Sequence, residues 1–117
     1  MANSDKRTSY LAKLVSAARA VVTYQTSLPL GCTRIRRVLY WLAPYQPPEY
    51  PIFDEFLAAI RGLPVGTERL HWSREPLRER DVKLERILHR YRDRVFDACY
   101  DIIDSYATPT EQPTNVI

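Results

Sequence analysis

Apolar residues recur in the last third of the chain with the step of a helix. Leu84, Leu88, Tyr91, Val95, Ala98 and Ile102 follow one another at intervals of four, three, four, three and four. At about 100° per residue they fall on one stripe. Ile87, Phe96, Cys99, Ile103 and Tyr106 flank that stripe and widen it. So wide an apolar arc belongs against two or more other helices rather than in water. Asp81 has the chemistry of an N-cap, no Gly or Pro occurs from Val82 to Ala107, and Pro109 follows the end. The pattern predicts one long amphipathic helix from Asp81 to Tyr106.

The rest of the chain shows the same period in shorter pieces. A first helix, capped by Ser4 and running to about Thr26, carries Leu11, Leu14, Val15, Ala18, Val21 and Val22 on its apolar face. Ala17, Ala18 and Ala20 would admit a close neighbour. Leu28 precedes a proline and is therefore pushed away from helical geometry. Pro29 can open a second helix, to Leu42, with Ile35, Val38, Leu39 and Leu42 inward. Tyr40 and Trp41 stand near its end, where amphipathic rings often cover a core edge. Pro44, Pro47, Pro48 and Pro51 exclude regular structure from Ala43 to Pro51, which reads as a stiff connector.

A third helix, Ile52 to Arg61, buries Phe53, Phe56, Leu57 and Ile60 and ends at Gly62. Arg69 to Trp72 reads as extended, and Ser73 as the cap of a short charged helix to Arg80. The fold class is all-α: a single-domain bundle of four to five helices over residues 1–106, with a flexible tail over 107–117.

Charge changes the picture of the long helix. Its polar face carries Lys83, Arg86 and Arg90 in the first half, and Asp93, Asp97, Asp101 and Asp104 in the second. A helix dipole favours the reverse order by about 0.3–1 kcal/mol per charge. One reading is a solvated face with pairs such as Arg90 to Asp93 and Arg94 to Asp97. The other is a two-toned stripe that meets a partner of opposite pattern. Arg86, Arg90, Asp93, Asp97, Asp101 and Asp104 are accordingly the candidate partner-binding residues.

Composition narrows the classes. Seventeen basic residues against fourteen acidic give a net charge of +3, too balanced to mark a nucleic-acid binder by itself. Arg34, Arg36 and Arg37 form the densest basic cluster, which reads as the edge of a packed helix more readily than as a phosphate site. No apolar run approaches a membrane span, and Met1 to Ser9 lacks a signal-peptide core, so a cytoplasmic protein without membrane contact is expected. Cys32 and Cys99 read as two buried free thiols in a reducing compartment. His71 and His89 lack metal-ligand spacing, and no phosphate loop or nucleophile motif occurs. Neither metal, cofactor nor catalysis is expected.

Leu63-Pro64-Val65-Gly66, then Glu68-Arg69, a charged stretch, and Asp81-Val82-Lys83-Leu84-Glu85-Arg86-Ile87-Leu88 together carry a resemblance. They are similar to the second half of a group of small helical bacterial proteins that includes an uncharacterised proteobacterial family. That group resembles immunity proteins blocking type VI secretion effectors which destroy dinucleotide cofactors. The shared pattern is a Leu-x-x-Gly turn and a later Asp-x-x-Leu-x-x-x-Leu, here Leu63, Gly66, Asp81, Leu84 and Leu88. The resemblance covers about half the chain and implies a bacterial immunity- or antitoxin-like protein that binds and neutralises a cognate toxin. A helical adaptor or dimerising module is the alternative expectation, and a basic nucleic-acid-binding regulator the third.

Overall fold

The structure, a computed structural model, describes residues 2–45, 47–63 and 74–107. Four α-helices make up the fold: α1 (Ala2–Val22), α2 (Leu28–Leu42), α3 (Pro51–Ala59) and α4 (Arg74–Tyr106), with a 3-10 turn over Ala43–Tyr45 after α2. Among the described residues there is no strand. α1 packs against both α2 and α4, and α3 also packs against both. α2 and α4 therefore face each other across the core, and their outer faces look in opposite directions.

Each boundary has a local cause. α1 stops at Val22, short of the expected Thr26. The Tyr24 amide donates to the Val21 carbonyl at 3.1 Å and the Gln25 amide to the Ala20 carbonyl at 2.9 Å. These are the two bonds of a Schellman closure, and Tyr24 takes its left-handed position at φ 60°. Tyrosine is an unusual occupant of that position, so nothing in the sequence announced the stop. α2 starts at Leu28, with Ser27 as N-cap: its hydroxyl accepts from the Leu30 amide at 3.3 Å, and Pro29 stands in the first turn. Past α3, Gly62 takes φ 85° as the turn requires.

α4 corrects the expected division into two helices. It runs unbroken over 33 residues, about 50 Å at the α-helical rise, and matches the 53 Å long axis of the molecule. Asp81 lies inside it rather than at its start. Pro76 sits in the first turn, where a missing amide leaves no bond unmade. No breaker separates it from the next apolar turn. The expected extended segment Arg69 to Trp72, and the expected tail beyond Ala107, lie outside the described residues.

The core is built from α1 residues Leu14, Val15, Ala17, Ala18 and Val21, α2 residues Cys32, Ile35, Val38 and Leu42, and α3 residues Phe53 and Phe56. Val95, Cys99 and Ile102 close it from α4. Leu84, Leu88 and Tyr91 are only half-buried. The seam of α4 thus turns fully inward only in its C-terminal half and includes Cys99, which the apolar pattern put on the flank. The alanines of α1 do admit close neighbours. α1 and α2 approach closely at Gly31, where a Cβ would lie 2.3 Å from Val21 Cγ2.

Cys32 and Cys99 are buried free thiols. Burial pushes both up to about 12, and for Cys32 the nearby Cys99 adds to the rise. Neutral thiols are thus favoured in the fold. This contribution is fully present below the ordinary thiol value of 9.0 and is lost as pH climbs towards about 12. Native labelling with a thiol reagent should be slow, and the urea midpoint should fall across that alkaline window. The fall should be smaller in a Cys32→Ala, Cys99→Ala variant. Fast labelling of both thiols in the folded protein would contradict this arrangement.

Candidate functional site

The polar face of α4 keeps the charge order read from the sequence. Arg86, Arg90, Asp93, Asp97, Asp101 and Asp104 are all exposed. Helical steps put them within one sector, opposite Val95. They do not behave alike. The Tyr50 hydroxyl donates to Asp101 Oδ2 at 2.6 Å, so Asp101 fastens the segment leading into α3 onto α4. Burial raises the Tyr50 hydroxyl well above its ordinary value, and the bond to Asp101 adds to the rise. Asp93, Asp97 and Asp104 have no hydrogen-bond or ion-pair partner among the described residues. These three exposed carboxylates are thus left facing solvent; only Asp104 lies in the last turn of the helix, where the dipole disfavours it.

Arg94 departs from the pairing expected within α4. Its guanidinium meets Glu55 of α3 at 2.7 Å and lies 5.4 Å from the Tyr91 ring centroid, so it joins two helices instead of answering Asp97. The aspartate face therefore receives no cation from this neighbour. Sequence reasoning missed Tyr50 and Glu55 as the fasteners. Tyr50 precedes Asp101 by 51 positions and Glu55 precedes Arg94 by 39, and only the packing of α3 brings them near.

The outer face of α2 forms a second surface. Arg34, Arg36 and Arg37 are exposed, and Leu28–Leu42 contains no acidic residue. Arg36 approaches Asp54 of α3 at 3.9 Å, a long and solvated contact. Tyr40 is 78% exposed and Trp41 39%, which corrects the expectation that they cover a core edge. Trp41 instead tilts against Tyr10 of α1, ring centres 5.8 Å apart, and Tyr45 lies 6.1 Å from Tyr10. The Lys13 ammonium sits 6.0 Å from the Tyr10 ring and 5.7 Å from the Trp41 ring. One side of the molecule thus carries aspartates, and the opposite side arginines and rings.

Among the described residues no group of His, Cys, Asp and Glu could hold a metal ion, and no helix is long and apolar enough to cross a membrane. His89 is exposed on α4, whereas His71 lies outside the described residues. No protein-family model, curated protein or solved structure matches the chain.

Proposed function

We propose that the chain is an immunity- or antitoxin-like protein that binds a cognate toxin and occludes it with the outer face of α4. The observation that supports this reading is the run of Asp93, Asp97 and Asp104, exposed and unpartnered among the described residues. Asp104, in the last turn, sits at the unfavourable end of the helix dipole and costs a little stability, which a binding role would explain. Such a stripe speeds association with a basic surface and selects against acidic ones. The resemblance of the Leu63–Leu88 stretch to a group of small helical bacterial proteins, itself similar to immunity proteins, supports a toxin as the kind of partner. Co-expression with the toxin-domain product of a neighbouring reading frame tests the proposal. A stable complex and loss of toxicity are expected; a toxin that stays active and unbound would refute it.

A second reading, a dimerising module, is favoured by one observation: the arginine face of α2 and the aspartate face of α4 are complementary and lie on opposite sides. Two copies could meet head to tail. Sedimentation at low and high salt separates the readings, since self-association of this kind would dissolve as salt rises.

A further inference from the structure

Two recesses adjoin on the outer face of α2, and Tyr40 lines both. One, about 530 Å³, is cationic: Arg36 and Arg37 line it with Thr33 and Asp54. The other, about 350 Å³, is aromatic: Tyr10, Trp41 and Tyr45 line it. The sequence Arg36-Arg37-Val38-Leu39-Tyr40-Trp41 builds this juxtaposition. Arg36 precedes Tyr40, and Arg37 precedes Trp41, by four residues, so each guanidinium stem stands one turn, about 5–6 Å, before a ring on the same helix face. A phosphate beside a planar ring, joined by a sugar, has the same layout.

We propose that this face binds a nucleotide unit, with the phosphate between Arg36 and Arg37 and the base on Tyr40 and Trp41. This site is independent of the α4 reading. The guanidinium fork matches phosphate oxygens, and base stacking on aromatic rings tolerates any base. Lys13 adds a cation at the far edge of the ring cluster. Asp54 is the one acid on the cationic recess, close to Arg36; it opposes a phosphate and holds the affinity down. The absence of acids on α2 favours this ligand, and the aspartates of α4 lie on the far side.

The ligand chemistry has two sources, a free nucleotide or a single-stranded nucleic acid. The test titrates the full chain with adenosine monophosphate by calorimetry and with fluorescein-labelled single-stranded oligo-dT by anisotropy. Binding of oligo-dT alone, weakening with salt, assigns the strand. Binding of the monophosphate as tight as the oligonucleotide assigns the free nucleotide. In either case Tyr40→Ala should weaken binding about tenfold while Tyr40→Phe keeps it. Arg37→Ala should weaken binding and flatten the salt dependence, and Asp54→Asn should strengthen it. Tyr40 and Arg37 are exposed, so these variants leave the core untouched. Binding of neither probe would overturn the proposal, as would binding that ignores Tyr40→Ala. Capture of poly-glutamate with no binding of either nucleotide probe would also overturn it and mark the face as a surface for acidic protein.

Discussion

Phe56→Ala is expected to cost about 3–5 kcal/mol of folding stability, the range for removing a fully buried phenylalanine. Phe56 has no exposed surface. Its ring meets that of Tyr91 on α4 with centres 5.6 Å apart. α3 is only nine residues long, too short to hold itself as a helix in water. Its place in the bundle depends on Phe53 and Phe56 entering the core. Truncation removes the buried surface and leaves a cavity beside the Tyr91 ring. Domains of this size have about 5–15 kcal/mol in all, so the variant should stand near the unfolding threshold. Leu88→Ala is the contrast: half-buried, it should cost about 1–2 kcal/mol, less than a fully buried leucine. Urea melts of both variants check the pair; a Phe56→Ala loss below about 1 kcal/mol would mean that α3 is not anchored through this ring.

Gly31→Ala should destabilise the protein although alanine is the better helix former. Helix propensity alone would favour the change by about 1 kcal/mol. The new Cβ, however, would lie 2.3 Å from Val21 Cγ2 and 3.0 Å from Thr26 Cγ2. Val21 is buried, and as a β-branched residue it has few other rotamers. α1 and α2 would have to separate at this contact. Overpacking of this kind costs about 1–3 kcal/mol beyond the propensity gain. A double-mutant cycle with Val21→Ala isolates the contact: the second change should relieve part of the loss. A stabilised Gly31→Ala protein would show that the two helices do not meet this tightly.

Much of the fold was legible because apolar period is a local property. The stripe Leu84 to Ile102, the inward residues of α2 and the glycine after α3 could all be read by counting. The continuity of α4 could not. Asp81 has capping chemistry, yet a residue able to cap a helix also lies inside one where the flanking residues favour helix. The early stop of α1 depends on Tyr24 in a left-handed position that its side chain does not favour. At the candidate site, the charge order of α4 was plain in the sequence, but the difference among its aspartates was not. Tyr50 singles out Asp101 from 51 positions away, through packing that no spacing records. The exposed rings of α2 were misjudged for a similar reason: their surroundings are set by α1, not by their own helix.

The proposed recognition role of α4 is tested most directly by Asp93→Asn, Asp97→Asn and Asp104→Asn together, with Asp101 left in place to keep its bond to Tyr50. The paired measurement is a thermal melt and the association rate, across a range of salt, with the protein that co-purifies. The expected result is an unchanged or slightly raised melting temperature, a lower association rate, and a flatter salt dependence. An unaltered association rate in a normally folded variant would contradict the proposed role of the stripe.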